Sequence, residues 1–208
     1  MRKKNRKLLN SKHGFTLVEV IVVIAILSIC SGMLVGAISG SMDRYSISTD
    51  IENSKQEATS FERMYKKCVG SAYSISASNY NESAFSPQDK HYYLILNPTD
   101  NTAKFLMAYE DDNTGAIQLT SMITCKGISS FTQKAYTVGK DNSQKYVDYK
   151  LCMISNYEPN VTYDYSGTLT MNNNGAGSDF DQSYTLNSSS MPNPICIDFS
   201  MKIGRAHV

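Results

Sequence analysis

Histidine is scarce in this chain of 208 residues: of three, His13 falls among the first fourteen residues and His207 among the last six, which leaves His91 alone between them. No Ser/His/Asp order can be built from one histidine, and no P-loop, glycine-rich nucleotide fingerprint or His-Glu-x-x-His pair occurs. Neither an enzyme nor a bound cofactor is therefore expected. The five cysteines include no Cys-x-x-Cys unit, which takes away the usual signatures of zinc binding and of thioredoxin-like redox chemistry. A wall-sorting Leu-Pro-x-Thr-Gly anchor and any internal repeat are missing as well. Three more absences lie in the N-terminal third: no acid before Gly14, no charge from Val20 to Ile38, and no proline from Phe15 to Val69.

Each has a structural consequence. Arg2, Lys3, Lys4, Arg6, Lys7 and Lys12 stand unopposed, so residues 1–14 read as a basic leader to be left out of fold reasoning. The leader takes six of 20 basic residues, leaving fourteen against 19 acids from Phe15 onward, a balance of −5 where the whole chain carries +1. Basic flanks stay on the cytoplasmic side of a membrane, so the residues after the apolar run are expected outside the cytoplasm. A balance of −5 offers no basic footprint for nucleic acid. The uncharged run Val20 to Ile38 is close to the roughly 20 residues that span a bilayer core. Within it Gly32 and Gly36, with Gly40 just beyond, share one helix face, where small residues let helices approach closely. The ordinary abundance of glycine in membrane helices accounts for them equally well. Cys30, in the same run, reads as a small apolar residue.

Past the apolar run the pattern becomes amphipathic. Ile47, Ile51, Ala58, Phe61, Tyr65 and Cys68 recur at steps of three, four or seven, while Asp50, Glu52, Lys55, Glu57, Glu62, Arg63 and Lys66 fall mostly elsewhere. With Gly70 as a stop, the spacing predicts one helix over about residues 15–69, about 80 Å long at 1.5 Å per residue. Its first half, apolar all round, must be buried in lipid or in neighbouring helices; its second half should pack on a sheet. A competing export reading makes Val35-Gly36-Ala37 an ordinary signal-peptidase site and leaves a soluble secreted protein. Glu19 near the start of the apolar core, the unneeded length of that core and the helical pattern beyond it speak against that reading.

Strand-like runs follow at His91 to Leu96, Ala103 to Glu110, Ala116 to Thr124, Lys145 to Ile154, Gly167 to Met171 and Ile195 to Lys202. Turn chemistry separates the first three, which predicts an antiparallel meander. Ser71 to Lys90 reads as a connecting loop with one short element at most, and Asn172 to Gly177 and Ser188 to Pro194 as polar loops. The fold class is α+β, with residues 15–42 the membrane half of the helix and 43–202 the amphipathic half plus a β head. Residues 203–208, Ile-Gly-Arg-Ala-His-Val, match the translation of a common sequencing-adapter start, so they are expected to be foreign to the protein; a genuine short tail is the alternative. Cys68, Cys125, Cys152 and Cys196 would face an oxidising compartment and allow three pairings.

Gly14 followed by Phe15-Thr16-Leu17-Val18-Glu19, between a basic leader and an apolar run, closely resembles the signal segment of type IV prepilins and pseudopilins. The resemblance covers Lys3 to about Ile38. It implies a pilin-like fold, cleavage between Gly14 and Phe15 by a membrane prepilin peptidase that also methylates the new Phe15 amine, and an assembly role for Glu19. It also implies a C-terminal disulfide loop, for which Cys152 to Cys196 is the first candidate, with Cys68 to Cys125 tying helix to sheet; unpaired buried thiols are the alternative. Many Gram-negative pilins carry a proline about where Gly36 stands, and their helix loosens there; this chain has glycine instead. Some pseudopilins hold calcium in a loop, but Asp111-Asp112-Asn113-Thr114-Gly115 lacks EF-hand spacing, so a plain turn and no metal are expected.

Glu19 has a physical rationale beside the resemblance. A charge in hydrocarbon costs roughly 2.5–3.5 kcal/mol even on lenient scales. Cleavage after Gly14 would create a cationic amine four residues from this carboxylate. The amine of an incoming subunit can then pair with the Glu19 of one already assembled, whereas a misregistered subunit leaves both charges unpaired at several kcal/mol. The alternative is an interfacial Glu snorkelling toward headgroups. The expected function is thus that of a prepilin: an N-in, C-out single-pass protein of the cytoplasmic membrane that assembly machinery and other pilin subunits take into an extracellular filament. The alternatives are a pseudopilin of a type II secretion or DNA-uptake apparatus, and a membrane-anchored adhesion domain that never polymerises.

Overall fold

Helix α1 runs from Leu17 to Ser71 without a break, and nine strands follow it among the described residues. The computed structural model describes residues 15–138, 144–155, 157–158, 160–172, 180–186 and 193–201. The leader (1–14) and the residues 203–208 lie outside this range. The helix is uninterrupted for the reason read from the sequence, an absence of proline, but it does not end on a left-handed glycine. Gly70 is helical, and the chain passes from Ser71 directly into strand β1 (Ala72–Asn79). By contacts the chain divides into two units, one ending at Ser46 and the other beginning at Ile47. In the first, every described side chain up to Tyr45 is exposed.

The second unit holds the β-structure. Strands β2 (His91–Asn97), β3 (Thr102–Glu110) and β4 (Ile117–Lys126) form the expected meander. Beyond this meander the β-structure has two features that the strand order alone did not predict. The last strand, β9 (Ile195–Met201), inserts between β1 and β2 with Ile75 opposite Phe199 and Leu94 opposite Ile197, giving the antiparallel order β1-β9-β2-β3-β4. A second sheet of order β7-β6-β5-β8 is built from β5 (Ile128–Val138), β6 (Gln144–Ile154), β7 (Thr162–Met171) and β8 (Phe180–Thr185). Strands β5 and β8 fall where no strand is predicted, and β1 is the one short element allowed between Ser71 and Lys90. Gly127 alone separates β4 from β5, and its φ of +73° is a left-handed conformation that side chains other than glycine rarely adopt.

Helix α1 is what the two sheets share. The Phe61 ring lies 5.2 Å from Phe105 of the first sheet and 5.2 Å from Phe131 of the second. One turn on, Tyr65 meets Phe199 at 5.9 Å and Tyr149 at 5.3 Å, again one from each sheet. The Tyr65 hydroxyl donates to Gln133 Oε1 at 2.7 Å, and Gln133 Nε2 donates to Gln182 Oε1 at 2.7 Å. These bonds satisfy a glutamine that is 1% exposed, which would otherwise cost about 1–3 kcal/mol.

The buried stripe departs from the predicted one at its start. Its members are Asp50, Ser54, Ala58, Phe61, Tyr65, Cys68 and Val69, at helical steps of three and four apart from the adjacent last pair, whereas Ile47 and Ile51 are 39% and 44% exposed. Asp50 is buried because partners come to it: Ser155 Oγ donates to its Oδ2 at 2.7 Å and the Tyr163 hydroxyl at 3.2 Å. Beside it, the Tyr165 hydroxyl donates to Ser54 Oγ at 3.3 Å. Hydroxyls on the β6–β7 connection and on β7 thus replace the apolar contacts that hydrophobic periodicity anticipates.

Neither expected disulfide forms; all five cysteines are free. Cys152 sits on the face of β6 opposite to buried Leu151 and Met153, and Cys196 on the face of β9 opposite to core residues Ile197 and Phe199. They belong to outward faces of different sheets. Cys125 lies beside the Glu57 carboxylate, to which the next residue, Lys126, donates its N–H at 3.3 Å. Cys68 is eleven residues further along the helix, roughly 16 Å away at 1.5 Å per residue, well beyond disulfide reach. Burial pushes the thiols of Cys68, Cys125 and Cys196 up to about 12.

Two outcomes follow from this packing. Phe61→Ala should lower the urea-unfolding free energy of the detergent-solubilised chain by about 3–5 kcal/mol, and Ile51→Ala by no more than about 0.5 kcal/mol. Equal losses would place the stripe back on Ile51. Alkylation with iodoacetamide, read by intact mass without any reductant, should leave Cys68 and Cys125 unmodified in the folded protein and add five adducts after unfolding. Three adducts or one would mean that a bridge exists.

Candidate assembly segment at the N-terminus

The helix opens on Thr16-Leu17-Val18-Glu19, and this four-residue stretch builds a closed set of hydrogen bonds. Leu17 is the first helical residue, which makes Thr16 the N-cap and Glu19 the third helical position. Glu19 N–H donates to Thr16 Oγ1 at 3.3 Å; in return Thr16 N–H donates to Glu19 Oε2 at 2.8 Å and the Thr16 hydroxyl donates to the same oxygen at 3.0 Å. This is a capping box, in which an N-cap hydroxyl and a carboxylate three residues on satisfy each other's backbone donors. The carboxylate also lies against the positive end of the helix dipole. Its signature, Thr-x-x-Glu before an apolar run, stands in the sequence but is hidden when Glu19 is read only as an acid out of place.

The box divides the carboxylate. Oε2 takes both Thr16 donors, and Oε1 has no hydrogen bond among the described residues. One oxygen therefore holds the helix start and the other is open to a cation. Phe15 precedes the box and is 85% exposed, so the atoms at this end of the helix are accessible. Gly14, the other half of the expected scissile bond, lies outside the described residues.

From Leu17 onward the helix is long and apolar enough to cross a membrane, and none of that apolar stretch is buried within the protein. Val20, Ile21, Val22 and Val23, four consecutive residues and so spread round the helix, are all between 46% and 58% exposed. A helix apolar all round is stable only when lipid or other protein covers it. The polar side chains inside it are internally satisfied: Ser28, Ser31 and Ser41 donate to the carbonyls of Ile24, Leu27 and Ala37 at 2.7–2.9 Å. Gly32, Gly36 and Gly40 share one face by their spacing, and apart from the helix's own adjacent backbone nothing lies within 4 Å of where a Cβ would stand on any of them. That face is open. Cys30 is exposed on the same helix.

The remaining candidates lie far along the chain from this segment. Asp111 accepts the N–H of Asn113 at 2.8 Å and that of Thr114 at 3.3 Å, and Gly115 closes the turn with φ +63°. Its Oδ1 takes both backbone donors, as in a plain turn. Among the described residues no group of three or more His, Cys, Asp or Glu side chains is placed to hold a metal ion.

Residues 9–35 match the family described as the prokaryotic N-terminal methylation motif. No curated protein matches the chain. Among solved structures, a point mutant of the PilB minor pilin from Streptococcus sanguinis aligns with 78% of this chain at 12% identity and a TM-score of 0.39. The chain spans about a third of that protein's length, the alignment covering 36% of it. The stretch from the end of the basic leader to the middle of the apolar helix is thus a prokaryotic N-terminal methylation motif, of the kind that its resemblance to type IV prepilins implied.

Proposed function

We propose that this chain is a prepilin, cut between Gly14 and Phe15, methylated on the Phe15 amine and polymerised through α1 into a type IV pilus-like filament. The observation that carries this reading is an apolar helix exposed on all sides that opens, inside the methylation motif, on a carboxylate with one oxygen free. Before assembly, lipid covers Leu17 to Ile38, with the basic leader on the cytoplasmic side and the β-sheets across the membrane. In the filament, neighbouring helices replace the lipid. The cationic amine of one subunit meets the free Oε1 of another subunit's Glu19, while Oε2 keeps its own helix capped. The partners are a prepilin peptidase with methyltransferase activity, an assembly machine and further pilin subunits. The open Gly32/Gly36/Gly40 face gives those helices a place of close approach.

Two measurements test this. Mass spectrometry of the mature protein from its native host should find N-methyl-Phe15 at the N-terminus; Ala37 or Ile38 there would indicate ordinary signal peptidase, and an intact Met1 a simple signal-anchor. Substitutions separate cap from charge. Glu19→Gln keeps a capping-box residue but removes the charge, and should be cleaved normally while entering filaments at least about tenfold less, since one lost charge pair exceeds the 1.4 kcal/mol of a tenfold effect. Thr16→Ala keeps the charge and should assemble. Normal incorporation of Glu19→Gln would remove the register argument.

A further inference from the structure

The face of the first sheet turned away from α1 is not a bare surface. Strand alternation places Ser76 and Ser78 of β1, Cys196 and Asp198 of β9, and His91, Tyr93 and Ile95 of β2 on it, with Ser76 and Tyr93 flanking Asp198 and with Ser78 and Ile95 flanking Cys196. The β1–β2 connection folds back over these residues. Tyr80 and Phe85 pack on Tyr93, Ile95, Leu106, Ala108 and Cys196 as a second small core, Phe85 meeting Tyr93 edge-on at 5.0 Å and Tyr80 at 5.1 Å. Two bonds pin the connection: Gln88 N–H donates to the Tyr93 hydroxyl at 2.8 Å, and Tyr80 N–H to the Pro194 carbonyl at 2.7 Å.

Folding this segment onto the sheet leaves a half-open cavity of about 270 Å³ between the β1 serines and the Phe85–Gln88 stretch, with Asp198 in its lining. A larger groove of about 770 Å³ adjoins it, sharing Asn79 and Asn81 and extending past Asn97, Thr102 and Thr124. The chemistry of the small cavity is restrictive. No Lys or Arg lines it, so an anion finds no cation there. Its single charged side chain, Asp198, already holds His91 Nδ1 at 2.7 Å through Oδ1, which leaves one oxygen for a ligand. The other polar groups are neutral and can donate or accept: the hydroxyls of Ser76, Ser78 and Ser86 and the amides of Asn79 and Gln88. Among the described residues the side chains of Ser76, Ser78 and Asn79 make no hydrogen bond, so they are available to an occupant. The Phe85 and Tyr93 rings supply apolar wall.

We infer that this cavity binds a neutral saccharide, one sugar ring seated over Asp198, Ser76 and Ser78 against the Phe85 and Tyr93 rings, with further rings extending into the adjoining groove. A sugar presents what the lining asks for: no net charge, dense hydroxyls to bridge serines, amides and one carboxylate oxygen, and a C–H face for the aromatic wall. The inference uses none of the N-terminal segment and stands apart from the filament reading.

Saturation-transfer NMR on the full chain, solubilised in a detergent without a sugar headgroup, tests it. The probes are galactose, glucose, mannose, N-acetylglucosamine, lactose and chitobiose, with choline and inorganic phosphate as charged comparators. At least one saccharide should show transfer, and a disaccharide should bind better than its monosaccharide. Ser78→Leu, at an exposed position that fills the cavity, should weaken binding at least tenfold without changing the melting temperature, and Asp198→Asn should weaken it comparably. If Asp198→Asn proves unstable, Ser78→Leu still decides. The proposal is overturned if no saccharide shows transfer, if Ser78→Leu binds as the parent does, or if choline or phosphate binds more strongly than every sugar.

Discussion

Phe61 and Tyr65, one helical turn apart on α1, are the contact on which the β-structure depends. Each ring meets an aromatic of the first sheet and one of the second, so the sheets are joined through the helix. Of the two chain crossings between them, β4 to β5 and β8 to β9, the first is a single left-handed glycine. Removing either ring leaves two sheet faces without a common partner, which is a larger loss than the side chain's own transfer free energy of about 1.5–3 kcal/mol. The hydrogen bond from Tyr65 to buried Gln133 adds direction to this contact, because an amide in an apolar core tolerates only arrangements that satisfy it.

The same helix places opposite demands on its two parts. From Asp50 to Val69 one face is buried, with polar residues at the start of the stripe and aromatics at its middle. From Leu17 to Ile38 no face is buried, although the side chains are more apolar. Hydrophobic burial is the dominant favourable term in folding and association, so the part with the larger unburied apolar surface is the part that must find a partner outside its own chain. The match of residues 9–35 to a methylation motif falls on that part.

The long helix was legible because its signals are strong and local: no proline, an apolar run and then a 3.6-residue period. The meander β2–β3–β4 was legible from two turns with Asn, Asp and Gly chemistry. What was hidden depends on partners distant in sequence. Asp50 reads as a solvent-facing acid until Ser155 and Tyr163, more than a hundred residues away, supply its donors. Strand β5 carries a buried Gln133 where alternation expects an apolar residue, and β1 presents Ser74, Ser76 and Ser78 on one face, so neither has strong β character. The position of β9 between β1 and β2 is a long-range pairing that no local pattern specifies. The disulfide expectation rested on family likeness and failed on geometry, since sheet faces and helix rise set the distances between cysteines.

On the proposed reading, Glu19 combines a local and a global role in one side chain. The capping box accounts for a carboxylate at the third helical position without any assembly, and by itself it would make Glu19 a stability residue worth about 1 kcal/mol. That account is incomplete for a membrane boundary, where a neutral Gln caps equally well and avoids the desolvation of a charge. A carboxylate retained there exceeds what the cap needs, and the excess resides in the oxygen that Thr16 leaves open. In the proposed filament the cap would serve assembly too: by holding the side chain through Oε2 it would order the carboxylate before a partner arrives, so less conformational entropy would be lost when a second subunit's amine reached Oε1.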